Sequence, residues 1–199
     1  MSRDDVVLQG PEDIRFLVPV FHTANACCGA ATAYLLRRIA YRAGAYAPGI
    51  QEFMFHELNT SREGGTIEKV QRWFNGRVSS LHELGYRLQC RRVATPTAAL
   101  LDWVRAGKGY RGAMLPTDYK RLHPEPGAAG GEVASDDVQH AVGLTIDRLD
   151  AKADEDLVMI DPWPGMKGGK DRGKVPAGLE LAHRARNFHA LVYYWVGWS

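Results

Sequence analysis

Cysteine is scarce in this chain of 199 residues: Cys27, Cys28 and Cys90 are all it has. An odd number, two of them adjacent, does not make a disulfide framework. There is no C-x-x-C, and the spacing of His22, Cys27, Cys28 and His140 fits no metal-ligand pattern, so neither a metal nor another cofactor is expected. Long hydrophobic runs are also missing. No stretch approaches the roughly 18 uninterrupted apolar residues of a membrane-spanning helix. Residues 1–14 (MSRDDVVLQGPEDI) carry five charges and no apolar segment, which excludes a signal peptide there. The expected compartment is therefore the cytoplasm, with a signal-independent export route left open. An excess of one charge is lacking too. The 25 basic and 23 acidic residues leave a net charge of +2, which gives no electrostatic basis for binding nucleic acid or a membrane surface. The Gly/Lys-rich GMKGGKDRG (165–173) lacks the spacing of a phosphate-binding loop.

What is present suits one globular domain. Apolar residues make up 45% and charged residues 24%, and the length allows a substantial core. Residues 1–14 read as an N-terminal extension and 15–199 as a single domain. The first half is mainly helical by pattern. An extended RFLVPVF (15–21) precedes a helix from Cys28 to about Ala43, with apolar residues recurring at Ala31, Leu35 and Ile39 and with Gly44 and Pro48 to stop it. A second helix opens at Thr66, and a helical turn spans 78–84. A third helix has Thr95 as N-cap and Pro96 at its first position.

The second half reads as strands. YRLQCRRVA (86–94) alternates, which puts Cys90 on a core face, and GAMLPT, HAVGLTI (140–146), LVMID (157–161) and HALVYYWVGW (189–198) follow. Two long loops, 118–137 and 162 onward, separate them. Helices first and an antiparallel sheet after them make an α+β fold.

Three residues carry candidate chemistry. Cys28 opens a helix, where the macrodipole favours the thiolate, and Gly29 leaves room for a substrate backbone. Cys27 is its competitor. His140 starts a strand directly after a polar loop, and Asp161 ends the next strand. If the two strands form a hairpin turning near residue 151, His140 and Asp161 meet at its open end. A carboxylate there fixes the tautomer and orientation of the imidazole. Nucleophile, base and orienting acid are the parts of an activated-thiol site. Each alone has an ordinary reading: a buried thiol, a core histidine, a turn aspartate before Pro162.

The segments NACCGAATAYLL, VQHAVGLTIDRLD and DLVMIDPWPG together resemble the three motifs of the papain-like cysteine peptidases, and more narrowly the branch of the bacteriocin leader (double-glycine) peptidases. TPTAALLDWVRAGKGYRGAML is similar to the helix and strand that precede the histidine in that branch, so the resemblance covers roughly residues 15–197. It implies a papain-like fold with the nucleophile helix packed on an antiparallel sheet. A Cys-Gly dipeptide opens the first helix in that branch, so the resemblance also implies Cys28 as nucleophile in preference to Cys27, His140 as general base, Asp161 as orienting acid, and a peptide or protein substrate cleaved through an acyl-enzyme. An acyltransferase or transglutaminase-like enzyme sharing the thioester, or an inactive binding module on the same fold, are the alternatives. The branch commonly carries an oxyanion-hole glutamine four to six residues before the cysteine. Here His22, Thr23 and Ala24 stand there, which leaves Asn25 and His22 as the side-chain candidates. With no transporter-type segment attached, a peptidase fused to an exporter is not expected.

Overall fold

The computed structural model describes residues 27–45, 66–122, 139–146, 157–161 and 172–199. The described elements begin with α1 (Cys27–Arg42), α2 (Ile67–Asn75) and α3 (Val78–Glu83). Strand β1 (Leu88–Ala94) leads into α4 (Thr97–Ala106), β2 (Arg111–Asp118) and the single turn α5 (Tyr119–Leu122). Then come β3 (Gln139–Ile146), β4 (Leu157–Ile160), β5 (Arg172–Lys174), α6 (Leu179–Arg184) and β6 (His189–Trp195). The strands form a six-stranded sheet in the order β1-β6-β2-β3-β4-β5, every neighbour antiparallel. The α+β class expected from the sequence is what the chain adopts.

Helix α1 is the pivot. Ala31, Tyr34, Leu35, Leu36, Ile39 and Ala40 are all buried, and so are Thr32 and Arg38, so most of its circumference is covered. A helix apolar nearly all round belongs inside a domain. It ends where expected. Gly44 adopts a left-handed φ of +70°, and the bonds Ala45 N→Ala40 O (2.9 Å) and Gly44 N→Tyr41 O (3.0 Å) close a Schellman motif. Close approach to the sheet depends on glycine: a Cβ at Gly112 would lie 2.9 Å from Leu35 Cδ2, and one at Gly143 would lie 3.4 Å from it. Thr32 Oγ1 and Tyr193 OH, 2.7 Å apart, fasten the same helix to β6.

The sheet is covered on both faces. One apolar cluster joins α1, α2 and α3 to Leu88, Met114, Ala141, Ile160, Leu191 and Tyr193. The other joins α4, α5 and α6 to Ala113, Leu115, Val142, Leu144, Met159, Ala190 and Val192. This accounts for the unbroken apolar run of β6, a central strand with no solvent face. Pro116 sits in β2 beyond Met114, the last residue at which β2 pairs with β6, so its missing N–H interrupts no ladder on that side.

Several expectations change. The third helix is capped at Pro96 without a side-chain bond and starts at Thr97, so Thr95 is not its N-cap. Thr95 instead gives its N–H to Phe188 O (3.1 Å). Thr66 does cap α2, its hydroxyl accepting from Lys69 N at 3.3 Å. Cys90 is only half-buried, packing at the margin of the first cluster. Helices α5 and α6 and strand β5 arise inside stretches that lack apolar periodicity. The N-terminal extension, the expected strand 15–21 and the parts of the long loops that are not named above lie outside the described residues. Among the described residues no helix is long and apolar enough to cross a membrane.

Gly112→Ala should destabilise the fold by about 1–3 kcal/mol, because the added methyl meets Leu35 on a helix held from both sides. Urea denaturation measures this, and an unchanged midpoint would show that α1 does not seat on that glycine.

Candidate active site

Strand pairing brings His140 and Asp161 together. The hairpin pairs Gly143 with Ile160, and one further step sets Asp161 opposite Val142, diagonal to His140. The sequence reading set the two side by side. The true register is offset by two residues, which keeps both side chains on one face and within diagonal reach. His140 Nε2 and Asp161 Oδ1 are 2.5 Å apart, and each residue is only 2% exposed. A bond this short between buried groups is charge-assisted, with the imidazole N–H donating to the carboxylate.

The ring also interacts with a cysteine, and it is Cys27. Cys27, the first residue of α1, is partly exposed and interacts with the His140 ring, with the Ala141 N–H and with the Cys28 thiol. Cys28 is turned into the first apolar cluster and is only 7% exposed. The sequence reading favours Cys28 for that place, whereas the structure buries Cys28 among the apolar side chains and sets Cys27 beside the ring. Helical phase does not choose between them: Cys28 is in phase with Ala31, Leu35 and Ile39, and Cys27 with Ala31, Tyr34 and Arg38, all of them buried. The Cys-Gly dipeptide, which favoured Cys28, says nothing about direction.

The electrostatics separate the two thiols. The Cys28 S–H donating to its sulfur is the largest influence holding the Cys27 thiol well below its usual range. Burial works against this, and the positive His140 ring and the Ala141 N–H add to the lowering. Cys28 goes the other way. Its bond to Cys27, its burial, and the negative charges of Cys27 and Glu68 raise it well above the usual range. Burial disfavours the charged form of His140, yet the charge and hydrogen bond of Asp161, followed by those of Cys27, outweigh it and push the ring up to about 10. The directions of these shifts favour negative charge on Cys27 and Asp161 and positive charge on the His140 ring between them. The start of α1 adds the positive end of a helix macrodipole beneath the sulfur.

Tyr119, which the sequence reading left inside a loop, completes the site. It begins α5 immediately after β2, is buried, and stands perpendicular to the imidazole, with ring centroids 5.5 Å apart and an 81° interplanar angle. No spacing in the sequence pointed to it. Its position follows from the pairing of β2 with β3, which sets Thr117 opposite His140. A second buried histidine gives a contrast. His183 is bonded at both nitrogens, to Thr97 Oγ1 (3.0 Å) and His189 O (3.1 Å), and burial lowers its pKa, so it is a neutral core group. Among the described residues no group of three or more His, Cys, Asp or Glu side chains is arranged to hold a metal. His22, Asn25 and Trp163 lie outside the described residues.

Against family models, curated proteins and solved structures, the chain gives no match.

Alkylation by iodoacetamide should separate the thiols. Cys27 should label rapidly at pH 6, where an ordinary thiol of pKa about 8.5 is almost wholly protonated, and Cys28 should stay unlabelled in the folded protein. Because Cys27 is shifted down, its rate should reach its plateau at a lower pH than that of an ordinary thiol. Cys28→Ala should move that rise upward by removing the thiol donor. Peptide mapping that found the label on Cys28 would reverse the assignment.

Proposed function

We propose that this chain is a papain-like thiol hydrolase that cleaves a peptide or isopeptide bond, with Cys27 as nucleophile, His140 as proton carrier and Asp161 as orienting acid. One observation carries the reading: a buried imidazole held at Nε2 by a carboxylate and interacting with a thiol at a helix start. The order of the parts along the chain supports the papain-like assignment. The nucleophile opens the first described helix, the histidine lies near the start of a later strand, and the acid follows the next. The Cys-Gly dipeptide no longer supports the narrower leader-peptidase branch, because the residue facing His140 is followed by cysteine and not by glycine.

The chemistry follows from the charges. The Cys27 thiolate attacks the substrate carbonyl carbon, and the carbonyl π pair moves to oxygen. On collapse the C–N bond breaks, and the His140 imidazolium gives its proton to the departing amine. The acyl group remains on sulfur as a thioester. The neutral imidazole then takes a proton from water as that water attacks the thioester, and thiolate and imidazolium are restored. Asp161 keeps Nε2–H engaged throughout, which leaves Nδ1 as the nitrogen to exchange the proton. The first N–H groups of α1 have no intrahelical acceptor and are backbone donors for the oxyanion, with Asn25 and His22 as side-chain candidates.

Incubation with an activated ester such as a p-nitrophenyl acyl ester, followed by intact-mass analysis, should trap one acyl group on Cys27. Cys27→Ala should abolish it and Cys28→Ala should retain it. Asp161→Asn should slow turnover by up to about 10⁴-fold, as loss of the orienting acid does in serine triads. A peptide pool should then gain Cys27-dependent new termini. Products carrying an added amine acceptor in place of a new carboxylate would turn the reading to acyl transfer. An acyl-free protein would overturn both.

A further inference from the structure

His140 and Asp161 are almost fully buried although the site must meet a substrate on its cysteine side. Among the described residues, these groups face the pair from the packed elements. Helix α1 brings Cys27, with Cys28 behind it. The end of β4 brings Asp161. Glu68 of α2 acts on Cys28 and is bonded to Arg92 at 2.7 Å. Asp118, opposite Gln139, is engaged by Arg121 at 3.1 Å from its backbone N–H and 3.7 Å from its guanidinium. None of these is a large apolar side chain over the ring. Tyr119, 4% exposed, is one: its ring meets the imidazole at 81° with centroids 5.5 Å apart. Helix α5 starts directly after the last residue of β2, which pairs with β3, and this sets the ring beside the start of β3.

We propose that Tyr119 is a positioning residue of this site: its ring fixes the plane of the His140 imidazole and closes the His140–Asp161 pair off from water. Burial, followed by the negative charge of Asp161, pushes the Tyr119 hydroxyl up to about 12, so the phenol stays protonated wherever the thiol site is charged. It contributes shape and exclusion of water, not charge. Without the ring, water would screen the Asp161 carboxylate and return each group toward its ordinary value, His140 downward and Cys27 upward. The pH window in which thiolate and imidazolium coexist would narrow from both sides.

This rests on the assignment of Cys27 and His140 above, and alkylation kinetics keep the two apart because they need no substrate. The wild-type protein, Tyr119→Phe and Tyr119→Leu are alkylated with iodoacetamide from pH 4 to 11, with circular dichroism as a check on folding. Tyr119→Phe should reproduce the wild-type profile. Tyr119→Leu, still folded, should label Cys27 at least tenfold more slowly at pH 6, with the rise in rate displaced to higher pH and the His140 step displaced to lower pH. A purely structural role would reduce the folded fraction but leave both steps in place. Unchanged steps in folded Tyr119→Leu, or a Phe variant that behaves like Leu, would overturn the proposal while leaving the thiol assignment intact. A wild-type Cys27 that labels like a free thiol would overturn the thiol assignment itself. If the Leu variant does not fold, the wild-type protein still decides. The imidazole N–H shared with Asp161 should be visible by proton NMR as a resonance protected from solvent exchange and in contact with the Tyr119 ring protons. Its rapid exchange with water would overturn the proposal.

Discussion

The bond between His140 and Asp161 is the constraint on which the rest of the site depends. A carboxylate and an imidazole cannot both be removed from water unless each answers the other, and at 2.5 Å they do. The sheet supplies the geometry. Strand β4 stops at Ile160, so Asp161 leaves the ladder one residue later, diagonal to His140 and still on its face. Because Nε2 is committed to the carboxylate, the ring can offer its other nitrogen in only one direction. The thiol that interacts with the ring is Cys27, at the start of α1.

Placing a thiol there makes demands on the core. Helix α1 must lie deep in the molecule and close to the sheet, which is why the strand residues beneath Leu35 are Gly112 and Gly143. The same burial that seats the helix draws Cys28 inward with Ala31, Leu35 and Ile39 and leaves Cys27 on the flank toward β3. The adjacent cysteines thus have opposite characters. One is a packed thiol pushed up by burial and by its neighbour's charge. The other is a sulfur that collects three donors and the helix dipole. Cys28 is part of both the core and the site, since the S–H it presents to Cys27 comes from a side chain held by apolar packing.

Much of this was legible in the sequence, and the misses have physical causes. The α+β order, the helix ended by Gly44, the β3–β4 hairpin and the His140–Asp161 pair follow from periodicity and turn chemistry, which are local properties. The register is set by the connection and by which faces are buried, and an estimated turn midpoint missed it by two residues. Tyr119 joins the site through pairing between β2 and β3, a relation that no local pattern encodes. The choice of Cys27 was not legible, because both thiols are in phase with buried residues of α1 and a dipeptide motif carries no direction. Helices α5 and α6, at four and six residues, are too short to show a period.

The site also clarifies why two histidines buried in one core differ in kind. His183 meets a hydroxyl and a carbonyl, neither charged, so burial dominates and the ring stays neutral. His140 meets a carboxylate and a thiolate, and their combined charge overcomes the same burial. The difference lies in partners, not in depth. It follows that the charge on His140 is a property of the whole chain Cys27–His140–Asp161 and cannot be assigned to any pair within it. Removing the carboxylate leaves the thiolate to support the imidazolium alone, and removing the thiol leaves the carboxylate to do so. Each loss weakens the remaining interaction, because a less charged ring attracts its surviving partner less. The three groups therefore titrate as a unit, and the unit exists only while α1, the end of β4 and Tyr119 hold it in one dry place.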